Sequence, residues 1–463
     1  MIKVETLKSC QLIVKSYGKL PAGDFCYSTD TRSLVEGNGF LAIVGENFDG
    51  HNFIGKALEL GASVVFFNSS KYLEIESHIN QYPDRYFVEC KDTISFIQEL
   101  ASHHLKWWRG LNPSAPVVAI TGSNGKTTTK DMVTHLLNGI FGESVVSTEK
   151  NFNNHLGVPY TLLNICADTK AVVLEMGTNH PGELKVLCDI AQPSCGIITN
   201  IGMSHLEFFK NEEDVFKEKR VVFDSVMSAS KNQGVFVVDG SDQHLKTLPA
   251  GKNVIFLCEG ENLELNVKNA VLNVNALELN IENEHLTGAH NYFNLSAALS
   301  LCLALYPDEI ENFKSGSKSF VPGRNRSSWV EHLGLKVFLD AYNANPSSMK
   351  ASIKGFHQEI ISDGYQDDQA LYILGDMNEL GPSSAKFHRE MGQFASEQGV
   401  KNAIFVGKFA ADYQKSFTGK SYLFEKISEL SFKELSGILN GIKIVFVKGS
   451  RSLQLESFLD ITP

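Results

Sequence analysis

Residues 117–141 read VVAITGSNGKTTTKDMVTHLLNGIF, and few folds accommodate such a run. The unbroken VVAIT suits a strand buried on both faces. Gly122 and Gly125 bracket a turn, after which Met132, Val133, Leu136, Leu137 and Ile140 recur along one face of a helix. Strand, glycine turn, lysine and helix, in that order, form a cup for an anion. Glycines let N–H groups face inward, the helix end adds about half a positive charge, and Lys126 adds a whole one. A hydroxyl such as that of Thr127 can ligate Mg²⁺ beside a phosphate. The common phosphate loop carries another glycine five residues before Gly125, where this chain has Ile120, so the motif is the shorter Gly-x-x-Gly-Lys-Thr. The expected ligand is ATP, held by Gly122, Ser123, Asn124, Gly125, Lys126, Thr127 and Thr128.

The surroundings predict an α/β chain in three regions. Residues 1–90 are mixed, with strand-like FLAIVG (40–45) and VVFF (64–67) flanking the helical pattern NFIGKALELGA. In residues 91–318 strands and helices alternate: AVVLE (171–175), CGIITN (195–200) and GVFVVDG (234–240) join VVAIT as runs suited to a parallel sheet. Residues 319–463 carry KVFLDAY, ALYILGD, NAIFVG and IKIVFVKGS, a second α/β pattern. Polar or glycine residues follow several strands (Gly122, Glu175, Asn200, Asp340, Asp376, Gly449), and ligands of open α/β sheets bind beyond such carboxyl ends. Strand-to-helix turns also need these residue types, so the pattern nominates an edge without naming a ligand.

A length of 463 residues, 43% of them hydrophobic and 21% charged, supports two or three well-filled domains and excludes a disordered chain. The net charge of -11 argues against nucleic acid or an anionic membrane as partner. Any bound anion therefore depends on a local arrangement. The eight cysteines include no Cys-x-x-Cys pair; they are expected as free thiols, with Cys188 and Cys195 buried in apolar segments. The N-terminal MIKVETLKSCQLIVKSYG has no signal-peptide core, and the apolar run 295–306 is too short to span a bilayer. A cytoplasmic globular protein is expected.

Around the phosphate loop, Glu175 at a strand end and His205 shortly after another suit Mg²⁺ or Mn²⁺ better than a zinc cage. Taken alone, each is equally a strand cap or a packed histidine. Lys219, in the charged helical stretch KNEEDVFKEKRVVFD, taken alone reads as a solvated lysine.

The combination of GSNGKTTT, EMG at 175–177, NIGMSHLE at 200–207 and the Lys219 that follows resembles the Mur ligase family of ATP-dependent cell-wall precursor ligases. LDAYNANPSSM (339–349), LGDMNELG (374–381) with His388, and FVKGSR (446–451) resemble the branch that adds D-alanyl-D-alanine to UDP-N-acetylmuramoyl-tripeptide. The resemblance implies a three-domain architecture: an N-terminal UDP-sugar-binding domain (1–90), a central parallel-sheet ATPase-like domain (91–318) and a Rossmann-like C-terminal domain (319–463). It implies that Lys126, Lys219, His205 and Arg324 serve catalysis, and that Thr127, Glu175, His205 and Lys219 hold the metal. Lys219 matches a lysine that CO₂ carbamylates in several relatives, although the branch reads Lys-Gly-Glu where this chain has Lys219-Arg220-Val221. Asn291 matches a residue near the adenine, with Asn294 helping to shape the same helix start; Asp340 matches the carboxylate for the ribose, and Arg324 an arginine that reaches the terminal phosphate. Ser28, Thr29, Asp30 and Arg32 match the uridine-nucleotide grip, although TDTR alone also reads as a polar turn. Asn153 and Asn154 are expected near the sugar nucleotide, and Tyr342, Asn343 and Asn345 near the incoming dipeptide. The implied partners are small molecules, and the implied state is a monomer.

Two other readings remain open on sequence. A folate polyglutamylation enzyme shares the loop and the three-domain plan without the TDTR region and the YNANP run. A regulatory nucleotide-binding protein shares the residues without turnover.

Overall fold

The protein is described by a computed structural model covering residues 1–45, 48–204, 207–231, 233–266, 268–274 and 277–461. Four sheets organise these residues. Near the N-terminus the strand order is Ile13–Gly18, Tyr86–Cys90, Val64–Asn68, Gly39–Leu41, Tyr27–Ser28, with only the first pair antiparallel. The second sheet runs Val254–Leu257, Phe236–Asp239, Cys195–Ile198, Val117–Thr121, Ala171–Glu175, Val145–Ser147. Leu263–Leu265, Asn269–Val274 and Leu277–Glu282 form a small antiparallel sheet. The last sheet runs Ser328–His332, Leu335–Asp340, Ile444–Lys448, Ala370–Gly375, Asn402–Val406, Lys420–Phe424, parallel apart from its first hairpin.

The chain divides into two compact units. The first comprises Met1–Ala119, Phe141–Gly177 and Glu183–Ser194; the second Ile120–Ile140, Thr178–Gly182 and Cys195–Pro463. In the first, Phe40, Val65, Phe67 and Phe87 from the strands meet Ile54, Ala57, Leu58 and Ile75 from helices on one face of the N-terminal sheet. The expected strand 40–45 is shorter, Gly39–Leu41, because the chain doubles back. Gly50 N–H donates to Ile43 O at 2.8 Å, and a Cβ on Gly50 would lie 2.7 Å from the Ile43 backbone.

In the second unit, the strands of the C-terminal sheet alternate strictly. Phe338, Tyr372, Phe405 and Phe446 fill one core; Val337, Leu339, Leu371, Ile373, Val445 and Val447 fill the other. Both faces are covered, as the continuous apolar runs require. The apolar run 295–306 lies almost wholly in the helix Ala289–Leu305, most of whose residues are buried; it is a core helix. Among the described residues no helix is long and apolar enough to cross a membrane. Cys90, Cys188, Cys195 and Cys302 are buried, but Cys26 and Cys166, outside strands and helices, are exposed.

Candidate active site

The phosphate loop sits at the carboxyl end of the buried strand Val117–Thr121 and runs into the helix Lys126–Phe141. Gly122 has φ 149°, and a Cβ there would fall 1.8 Å from Thr199 Oγ1. Gly125 has φ 81°, and its Cβ would lie 2.8 Å from Asn294 Oδ1. The two glycines are therefore required by close approach as well as by conformation. Lys126 folds back across the turn, donating to Gly122 O at 2.8 Å and Ser123 O at 3.3 Å.

The sequence implied inward-facing loop amides, but two of them are engaged by the protein. Ser123 N–H donates to Asn200 O and Asn124 N–H to Asn200 Oδ1, each at 3.0 Å. The segment after the strand Cys195–Ile198 thus braces the loop: Thr199 Oγ1 donates to Asn124 O at 2.5 Å, and Ser123 Oγ both accepts from Gly202 N and donates to Gly202 O. The donors left for an anion are concentrated at the helix start, before the first backbone bond from Thr129 N–H to Gly125 O. Asn345, which caps the helix Pro346–Ser362, donates through Nδ2 to Asn124 Oδ1 at 2.7 Å and so ties the YNANP run to the loop. Gly122→Ala is expected to lose ATP binding and about 2–4 kcal/mol of stability through overpacking and backbone strain. Thermal unfolding with and without nucleotide measures both.

Lys219 contradicts its reading as a solvated lysine: it is 1% exposed. Val215, Lys219, Val222 and Val226 share the buried face of the helix Glu212–Ala229. Burial, and next the charge of Lys126, push its amine well below the usual lysine range, with Glu218 opposing. Glu218 Oε2 meanwhile accepts from Gly182 N–H at 2.7 Å.

Asp340 anchors a second cluster in the same unit. Asp340 Oδ2 accepts from Lys448 Nζ and Ser352 Oγ, both at 2.6 Å. Sequence reasoning passed over His290 although it lies between Gly288 and the helix face of Asn291; burial lowers its pKa, while Asp340 opposes and Lys448 adds to the shift. Asn291 Nδ2 donates to Thr287 O at 2.8 Å. Tyr342 is covered by the Arg326 guanidinium, Asn343 is exposed, and Arg324 is exposed on the turn before the strand Ser328–His332. His388 is fully buried: Nε2 accepts from Met377 N–H at 2.9 Å and Nδ1 donates to Ser384 O at 2.7 Å, so it orders the LGDMNELG loop.

In the first unit, Glu175 is 2% exposed, at the end of its strand. Oε1 accepts from Asn153 Nδ2 at 2.7 Å, while Oε2 is buried without a partner. A buried carboxylate oxygen left unpartnered suits a hard cation. Asn153 is thus found on the carboxylate, and Asn154 accepts from Leu156 and Gly157 N–H. The Ser28–Arg32 segment is an internally bonded turn: Asp30 N–H donates to Ser28 Oγ, and Arg32 forks onto Asp30, whose pKa falls to about 2 mainly through those hydrogen bonds. Thr29 and Arg32 are exposed. His205 lies outside the described residues.

Three family descriptions match in order along the chain: "Mur ligase family, catalytic domain" over 26–104, "Mur ligase middle domain" over 120–302 and "Mur ligase, glutamate ligase domain" over 325–451. A UDP-N-acetylmuramoyl-tripeptide–D-alanyl-D-alanine ligase of Bacillus subtilis (strain 168) is 30% identical over 447 residues, covering 93% of this chain and 92% of the relative. The chain belongs to the Mur ligase family. The ligase so named from Escherichia coli (strain K12) is 29% identical over 95% of this Mur ligase and 94% of its own length. Crystal structure I of MurF from Acinetobacter baumannii superposes with a TM-score of 0.82 at 25% identity, covering 99% and 98% of the two chains. MurF ligase from Thermotoga maritima, solved in complex with ADP, shares the fold (TM-score 0.75, 24% identity, 94% and 96% covered). The α/β chain thus has the three-domain architecture of the Mur ligases.

Proposed function

We propose that this Mur ligase joins D-alanyl-D-alanine to UDP-N-acetylmuramoyl-tripeptide, releasing ADP and phosphate. One observation carries the reading at the level of atoms. The YNANP run, which marks this branch, is bonded to the phosphate loop through Asn345 Nδ2 and Asn124 Oδ1 at 2.7 Å. The segment expected to meet the acceptor and the loop expected to hold ATP are one structure. Relatives with this name, aligned over nearly their full lengths, support the same conclusion.

A carboxylate is a poor electrophile and needs a better leaving group. A terminal carboxylate oxygen of the tripeptide attacks the γ-phosphorus of ATP, the bond to ADP breaks, and an acyl phosphate results. The deprotonated amine of the dipeptide attacks its carbonyl carbon, and the tetrahedral adduct expels phosphate. No protein nucleophile is needed; positioning and neutralisation of charge carry the rate. Lys126 supplies one cation at the helix start, and Arg324 is assigned to the terminal phosphate from the other domain. Asn291 and Asp340 are assigned to adenine and ribose, while Ser28, Thr29, Asp30 and Arg32 are assigned to the uridine nucleotide.

Mg²⁺, when bound, would offset phosphate charge. The unpartnered Glu175 Oε2 fits such a cation, and Thr127, His205 and carbamylated Lys219 complete the assigned set. Lys219 is suited to its part: burial disfavours its charged form, and the unprotonated amine attacks CO₂, forms a C–N bond, loses a proton and becomes an anion. In this reading the regions 1–90, 91–318 and 319–463 are the three domains, and the protein acts as a cytoplasmic monomer on soluble precursors.

The test is phosphate release from ATP in the presence of each substrate. Release is expected only with both UDP-muramoyl-tripeptide and D-Ala-D-Ala. Equal release with a single amino acid in place of the dipeptide contradicts the assignment and points to a sister ligase.

A further inference from the structure

The turn that carries Arg324 also carries an arginine that the chemistry above leaves unused. Arg326 is half-buried, with its guanidinium 3.7 Å from the centroid of the Tyr342 ring. A guanidinium lying over a ring spends its face there and keeps its planar edge of N–H donors. Among the described residues, the structure records no carboxylate paired with that edge.

The backbone that holds it is strained on both sides. Asn325 has φ 65° and Ser327 φ 51°, both in the left-handed region without being glycine, and both are buried. Such residues persist where the surrounding structure imposes them, and they cluster at functional sites. Two further polar atoms of this short turn, Asn325 Oδ1 and Ser328 Oγ, are buried with no partner. Strain, unpartnered polar atoms and an uncommitted cation therefore coincide within four residues of chain.

Its location supplies the ligand chemistry. Tyr342 opens the run whose Asn345 bonds the phosphate loop. Three residues span at most roughly 11 Å of chain, about the length of a dipeptide plus one contact. An acceptor attacking near the loop would carry its far end toward Arg326. The far end of D-Ala-D-Ala is a free carboxylate, and a protein of net charge -11 needs a local cation to draw it in.

We propose that Arg326, aimed by the strained Asn325–Ser327 turn and steadied on Tyr342, binds the free carboxylate of the incoming dipeptide and selects an anionic acceptor over a neutral one. The assignment rests on the ligase reading above and adds to it a specificity-determining residue.

The experiment compares D-Ala-D-Ala with its C-terminal carboxamide in phosphate-release kinetics, using the wild type, Arg326→Met and Arg326→Lys. Arg326→Met keeps length and apolar contact without charge. The wild type is expected to prefer the dipeptide. Arg326→Met should raise KM for D-Ala-D-Ala about tenfold to a hundredfold, leave KM for ATP and for the UDP-tripeptide unchanged, and use the carboxamide as well as the acid. Arg326→Lys should retain part of the preference, which also covers the case in which the methionine variant does not fold. A rise in KM for ATP instead, or an undiminished preference for the acid in both variants, overturns the assignment of Arg326. A wild type that releases no phosphate with the dipeptide contradicts the ligase reading itself, a result distinct from either.

Discussion

Lys126→Ala is expected to give a folded protein that binds the UDP-tripeptide and does not turn over. Lys126 Nζ donates to two loop carbonyls, Gly122 O and Ser123 O. The transition state loses a fixed cation beside the transferring phosphoryl group, at the one end of the site where the helix amides remain as donors. Losing a single charge-stabilising donor commonly lowers kcat by about 10² to 10³. Single-turnover ADP formation reads the chemical step, and calorimetry with the UDP-tripeptide confirms intact binding. Normal turnover would remove the phosphate loop from the mechanism.

Lys219→Met is expected to abolish activity and raise Tm. The lysine amine is buried, and its charged form is disfavoured first by desolvation and then by Lys126. Between the two pKa values the unfolded chain binds more proton there than the folded chain does. The penalty is therefore absent above the ordinary lysine pKa, near 10.4, and grows as pH falls from that value toward the depressed folded one. Methionine fills the same apolar space with nothing to deprotonate, so the gain in Tm should be larger at pH 7 than at pH 10. Lys219→Ala leaves room where the lysine stood, and short carboxylates such as formate or acetate should restore part of its activity by standing in for a carbamate. A wild-type intact mass with no CO₂ adduct under native conditions, together with no rescue, would argue against the carbamate and leave the stability effect standing.

The parts of this molecule that sequence made plain are those where backbone and side-chain requirements coincide. VVAIT, the glycine turn and the helix that follows form as expected, because a doubly buried strand and a loop at its end admit few residue types. The strands of the C-terminal sheet were legible for the same reason. Taken alone, Lys219 reads as solvated because its neighbours in sequence are charged, and the structure buries it. The helical register Val215, Lys219, Val222, Val226 already placed it on the apolar stripe, and reading that period would have found it. The antiparallel strands within 263–282 were passed over for a related reason. Their period-2 pattern, with Ala270, Leu272 and Val274 inward and asparagines or valine between, lacks the continuous apolar run of a parallel sheet.

Long-range contacts were not legible. No local pattern announces that Asn200 takes two loop amides, that Asn153 lies on Glu175, or that Arg326 stacks on Tyr342. Each joins residues distant in sequence through side chains whose local alternatives are equally satisfactory.

The central claim is that ATP activates the tripeptide carboxylate as an acyl phosphate before the dipeptide attacks. Tripeptide labelled with ¹⁸O in its terminal carboxylate tests it directly, with the released nucleotide and phosphate analysed by mass spectrometry after turnover with D-Ala-D-Ala. One labelled oxygen is expected in each molecule of inorganic phosphate, with unlabelled ADP as the nucleotide product. Phosphate free of label, or label carried away on AMP, would contradict it.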